Sequence, residues 1–298
     1  MLGLDQAVQE RLPLDPSAAA TGESRHSARR WHWARWLICP EAIVLELLTL
    51  AAIFAPLITR YSPVSPDLTQ QLLPPSSSHW FGTDSLGMDV YTRVIYSARI
   101  DLSVTVISAT LGVLIGAPLG ALAAHQGGWL DTVVGRLTET AQAFPVILLA
   151  MLVLGAAGNN LVVLTILLAI LNAPVYIKMV RSVALPLREA EFVLAAKCSG
   201  HNGISLLWKH ILPNTLVPIF GQFSISCAGA IGIIAGLSFI GLGVQVPTPE
   251  WGSMINQGAS SIVFGLWWPS VFPGIAIFIT ALALTRLGNR VRSTALAL

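Results

Sequence analysis

Charge is scarce in this 298-residue chain: Asp, Glu, Lys and Arg make up 11% of it, against roughly 25% in soluble domains. With 54% hydrophobic residues, such a chain belongs in a bilayer. Lysine is scarcer still. The only lysines are Lys178, Lys197 and Lys209, and none follows a glycine. A phosphate loop ending in Gly-Lys-Ser/Thr is therefore missing, and with it that route to ATP. His-Glu-x-x-His and Gly-x-Ser-x-Gly are absent too. The six histidines, His26, His32, His79, His125, His201 and His210, are scattered without ligand spacing, so no catalytic or metal constellation is expected. Cys39, Cys198 and Cys227 read as small packed residues, with no disulfide. A net charge of +2 is too small to argue for nucleic acid.

What the chain does have is long uncharged runs. No charged side chain lies between Thr140 and Ile177, or between His210 and Pro249. The runs predict six membrane spans in an all-α polytopic protein, at about Glu41–Thr59, Leu102–Ala124, Glu139–Ala157, Leu161–Val180, Thr215–Leu242 and Trp267–Thr285. Nineteen helical residues reach about 28 Å, near the ~30 Å hydrocarbon thickness. Gly112, Gly116 and Gly120 form a small-residue stripe for close helix approach. Pro118 is a candidate kink in the second span. Asn172 and Pro174 interrupt the fourth, either exposing backbone to a pore or bending the helix. Glu46, deep in the first span, is a functional site by default, or else faces a partner or is protonated.

The connections carry the polar signals. Residues 1–36 form a cytoplasmic tail without periodicity, whose Arg25, Arg29, Arg30 and Arg35 alternate with Trp31, Trp33 and Trp36 at an expected interface. The first apolar run begins near Leu37, too far in for a secretory signal. Residues 60–100 are a long Pro- and Ser-rich connection. Within it, 88–100 is expected to lie on the membrane surface with Val90, Val94 and Ile95 toward lipid. Asp84 and Asp89 read as a turn residue and a helix cap. His125 to Arg136 is taken as a short connection, and 244–266 as a second long one. Residues 186–213 predict two short helices at an angle, with Pro186 in a first turn, Gly200 and Gly203 at the bend, and Pro213 closing the unit.

Six spans put both ends on one side. That side then holds fourteen of the basic residues and the other only Arg60, Arg93 and Arg99. The positive-inside rule places both termini, and 186–213, in the cytoplasm.

Three segments resemble one family. Ala195, Ala196, Gly200, Ile211, Leu212 and Pro213, with Glu191 nearby, resemble the EAA loop of ATP-binding-cassette (ABC) importer permeases. One departure is Leu194, where the family's Glu would fall. Phe81, Gly82, Thr83, Asp84, Gly87 and Asp89 are similar to the FGTD-x-x-G-x-D signature of its dipeptide, oligopeptide and nickel permeases, followed by matching Arg93 and Arg99. Met88 stands where a basic residue is common in that family. Pro247 to Gly252 resembles its P-x-P-E-W-G segment.

The resemblance implies a type I permease fold in a bacterial inner membrane. It divides the chain into the 1–36 tail, a first helix and FGTD segment at 37–100, a transmembrane domain at 101–290 and a 291–298 tail. It implies a loop that couples to ATPase subunits, and a peptide as cargo, with nickel or another small solute as the alternative. The implied partners are a second permease, two ATPases binding the ATP and Mg, an extracytoplasmic solute-binding protein and membrane lipid, with no nucleic acid. A secondary transporter or channel is the competing class.

Overall fold

The computed structural model of the chain describes residues 39–188 and 212–296. Among the described residues there are nine α-helices and one short 3-10 turn at Leu68–Gln70. The first helix is α1 (Pro40–Ile53), followed across Phe54 by α2 (Ala55–Ile58). Pro56 has no N–H to return to the Ala52 carbonyl, so the helix breaks here. Arg99 repairs the break: its Nε donates to Ala52 O at 2.5 Å and its Nη2 to Ile53 O at 2.7 Å.

Four helices are long and apolar enough to cross a membrane: α3 (Val90–Gln126), α6 (Leu161–Arg188), α7 (Leu212–Phe239) and α9 (Trp268–Leu296). Two shorter ones, α4 (Gly128–Ala143) and α5 (Val146–Ala157), meet at an 85° bend and count together as a fifth apolar segment. α1 and α2 are apolar but, at 14 and 4 residues, shorter than a span, so four or five segments are long enough to cross a membrane, which is compatible with the six expected. One further helix, α8 (Trp251–Ile262), lies between α7 and α9.

Several local expectations are corrected. The third span is not one straight helix. Pro145 stops α4 two residues early, because the residue before a proline is pushed out of the helical region and Phe144 is extended. The expected connection 125–136 is mostly helix, as α3 reaches Gln126 and α4 starts at Gly128. Residues 90–100 do not lie on a surface. They are the first turns of α3, which runs unbroken through residues 100 and 101, and Val90 and Val94 are buried against Trp251 and Trp268. Asn172 and Pro174 do not interrupt α6; Asn172 Nδ2 donates to Leu168 O one turn back. Pro186 lies in the last turn of α6, and Leu212-Pro213 open α7 rather than closing a preceding unit. The 244–266 connection contains α8. The expected two-helix turn at 189–211 lies outside the described residues.

α3 is the axis of the bundle. Around it the apolar side chains form three clusters: one with α6 and α7 near Ala121 and Val180, one with α5, α6 and α7 near Leu154 and Leu168, and one with α1, α8 and α9 near Val94 and Trp268. The glycine stripe faces α6. A Cβ at Gly116 would stand 2.5 Å from Ala173 O, and one at Gly120 2.6 Å from Ile177 O. Backbones pack here with no room for a side chain.

The bundle has two distinct ends. Arg290 on α9 pairs with Glu41 on α1 at 3.2 Å, and Arg181 on α6 pairs with Asp131 on α4 at 2.5 Å. These pairs mark the end where the described chain starts and stops. α6 ends and α7 begins there as well, because at the opposite end Asn159, just before α6, reaches Gly241, just after α7.

Substituting Gly116→Leu is expected to destroy the α3–α6 contact, since overpacking costs on the order of 1–3 kcal/mol or more where backbone must move. Folded protein in membranes should fall sharply by size-exclusion profile. Gly229→Ala, where an added Cβ meets nothing within 4 Å, should leave the profile unchanged.

Candidate functional site

At the end opposite the chain termini, residues 60–89 fold into a cap held by polar bonds rather than by regular structure. Gly82 has a left-handed backbone (φ 74°), and a Cβ there would stand 2.7 Å from the Trp268 indole. Thr83 ties its own segment to the 70–73 loop and to the start of α9. Its Oγ1 donates to Gln70 O at 2.5 Å and accepts from Leu73 N at 2.8 Å, and its carbonyl accepts from Trp268 Nε1 at 3.1 Å. Phe81 stacks on Phe272 of α9, with ring centroids 4.0 Å apart.

The two aspartates act as the sequence suggested. Asp84 Oδ1 accepts from Leu86 N and Met88 N, both at 2.9 Å, and Gly87 N donates to Asp84 O, closing the turn. Asp89 caps α3 by accepting from Thr92 N at 2.8 Å, while its other oxygen lies 2.9 Å from His79 Nδ1. Gln70 occupies the far side of that ring at 2.8 Å.

Arg93 is the centre of the cap. Its side chain is fully buried, and its Nε lies 3.4 Å from Asp84 Oδ2. Its Nη1 donates to Pro63 O at 3.1 Å, to Pro247 O at 3.2 Å and to the Met88 sulfur at 2.9 Å. One guanidinium therefore joins the loop before the FGTD segment, the segment itself, α3 and the connection from α7. Burial pushes the Asp84 carboxyl above the usual range, and Arg93 pulls it back. The methionine at 88, in place of a basic residue, spares Arg93 a like charge at this spot.

The second connection joins the same layer. Glu250 caps α8, accepting from Gly252 N and Ser253 N at 2.7 Å each. Trp251 is buried and donates from its indole to Val94 O at 3.0 Å. A Cβ at Gly252 would stand 2.5 Å from Ala235 O, so the glycine permits α8 to touch α7.

Of the residues singled out in sequence, the structure gathers Phe81, Gly82, Thr83, Asp84, Gly87 and Asp89 into this cap. Leu212 and Pro213 sit at the other end of the bundle, and Glu191, Ala195, Ala196, Gly200 and Ile211 lie outside the described residues. Sequence reasoning missed the structural roles of His79, Trp268 and Asp101. His79 stands between two partners nine and ten positions away, a spacing that no local motif reports.

An apolar helical bundle, capped at one end by a cross-braced loop, defines a membrane-embedded protein. The pattern of the binding-protein-dependent transport system inner membrane components matches residues 116–293, and the chain belongs to that family, which is one of transport rather than of enzymes. It is 38% identical over 250 residues to the dipeptide transport system permease protein DppC of Alkalihalophilus pseudofirmus, covering 84% of this chain and 82% of the relative. It is 36% identical to the probable D,D-dipeptide transport system permease protein DdpC of Escherichia coli K12, covering 86% of each. It is 38% identical to the glutathione transport system permease protein GsiD of Pectobacterium atrosepticum, covering 73% of this chain and 72% of the relative.

Arg93→Met is expected to cost about 3–5 kcal/mol near neutral pH, because it strands a buried carboxylate. Asp84, already raised by burial, then loses the group that lowers it. The folded state holds that proton more tightly than the unfolded one, so the deficit should grow as pH rises and shrink as it falls. Thermal unfolding in detergent at about pH 5 and about pH 8 checks the sign.

Proposed function

We propose that this chain is the permease subunit of an ABC importer, forming half of the path by which dipeptides or oligopeptides cross a bacterial inner membrane. ATP and Mg bind to separate subunits. The observation that carries this reading is mechanical. Residues 189–211 join the end of α6 to the start of α7, and both helices pack directly on α3. A force applied to that one segment acts on both helices of the central unit. It suits a rigid-body switch between two packed states, driven from outside the chain.

Placement of charge supports the cytoplasmic side for this segment. The end that anchors it carries Arg136, Lys178, Arg181, Arg286, Arg290 and Arg292, while the capped end carries Arg60, Arg93 and Arg99. The positive-inside rule then puts both termini and the EAA-like segment in the cytoplasm. The cap and α8 stand together on the extracytoplasmic face, where a solute-binding protein docks. A second permease completes the path against the bundle's exposed apolar surface, which includes the cleft between α5 and α6 lined by Leu149, Val153, Ile166 and Ile170. Peptide cargo is favoured over nickel because the relatives' names speak of dipeptide, D,D-dipeptide and glutathione transport.

Gly200→Asp should leave the protein in the membrane and abolish uptake of labelled dipeptide by cells expressing the whole transporter. Uptake by this chain alone, without ATPase subunits, would overturn the reading in favour of a secondary carrier. Orientation has its own test: a thiol reagent that cannot cross the membrane should fail to label Cys198 in intact cells and label it in inverted vesicles.

A further inference from the structure

Beneath the cap, two carboxyl groups from different elements meet out of contact with solvent. Asp101 lies on α3 at the threshold of the apolar run, and Glu250 begins α8; their exposures are 1% and 0%. Both Glu250 oxygens are occupied as acceptors, one by Gly252 N and one by Ser253 N. Asp101 Oδ2 accepts from Trp251 N at 3.2 Å. Asp101 Oδ1 faces no N–H or hydroxyl donor, although it is buried. Asp101 Oδ2 bonds the residue next to Glu250, so the two carboxyl groups stand side by side. One carboxylate can bond another only with a proton between them. Glu250 is placed as a pure acceptor, so the proton belongs on the one oxygen that otherwise has no partner.

We infer that Asp101 carries a proton and donates it from Oδ1 to the Glu250 carboxylate, which makes Asp101 the positioning residue that holds the start of α8 against α3. The bond is charge-assisted and sheltered from water, the setting in which a single hydrogen bond is strongest. It joins α3 to α8, while the N–H groups of α8 close the other side of Glu250. Burial pushes the Glu250 carboxyl up, and the Gly252 and Ser253 N–H groups, Ser238 and Asp101 pull it back down. Arg99, two residues before Asp101 on α3, is engaged with the Ala52 and Ile53 carbonyls, and Arg93, eight residues or about 12 Å away, with Asp84. Neither cation is paired with Asp101 or Glu250. Rising pH on the capped side would place two anions in one buried site and loosen α8 from α3.

The inference stands on the fold and not on the nature of the cargo. Its test uses the assembled transporter in membranes, with Asp101→Asn and Asp101→Leu. Asparagine keeps both bonds, an N–H to Glu250 and a carbonyl for Trp251 N, while leucine keeps neither. Infrared spectra at neutral pH should show the C=O stretch of a neutral carboxylic acid that Asp101→Asn removes. Uptake by Asp101→Asn should stay within about twofold of the parent and that of Asp101→Leu fall about tenfold or more, as expected for losing a bond to a charged group. Uptake by the parent should decline at alkaline pH where Asp101→Asn does not. An infrared band unchanged by Asp101→Asn, or an asparagine variant as impaired as leucine, would overturn the assignment. The infrared arm needs no substrate, so it separates failure of this inference from failure of the peptide reading.

Discussion

Close approach of two helix backbones organises this molecule. α3 and α6 touch along Gly112, Gly116 and Gly120, and a Cβ added at Gly116 or Gly120 would run into Ala173 O or Ile177 O. Lipid supplies no hydrophobic drive between helices, so tight packing must do the holding. Once α3 and α6 are locked, α7 lies against both, and the bent pair α4–α5 is fastened alongside by Arg181–Asp131. The remaining helices complete a shell around an axis that already exists.

The cap answers a different constraint. A segment without regular structure must satisfy its buried polar groups one at a time. Thr83, Asp84, Asp89 and His79 do this within the loop, and Arg93 and Trp268 tie the loop to the helices below. The same logic explains the Pro56 break, where a carbonyl left without its helical partner is taken up by Arg99. Two of the three cations on this face are thus consumed in bracing. A surface built on such a network is held in shape without regular secondary structure.

Much of this was legible one segment at a time. Long uncharged runs announce membrane helices because an unpaired charge is costly in lipid, and a glycine at every fourth place announces a tight seam. Asp84 and Asp89 announced a turn and a cap because those bonds span only two to four residues. Other features were illegible for physical reasons. The α4–α5 bend depends on Pro145, yet Pro118, Pro174 and Pro218 lie inside continuous helices. Whether a proline ends a helix is settled by what else can take up the freed carbonyl. α8 was hidden in a connection because its cap, Glu250, reads as an ordinary polar residue between prolines and a tryptophan.

Sequence alone determined that the chain lives in a membrane, the order of its apolar segments, and the residues that must lie close to backbone. Those properties follow from composition and spacing, which are local. Tertiary structure alone decided that residues 60–89 and α8 form one layer, that Arg93 reaches Pro247 across more than half of the chain, and that Asp101 meets Glu250. Such meetings depend on how helices cross, and a crossing is fixed by side chains far apart in sequence that no period or motif relates.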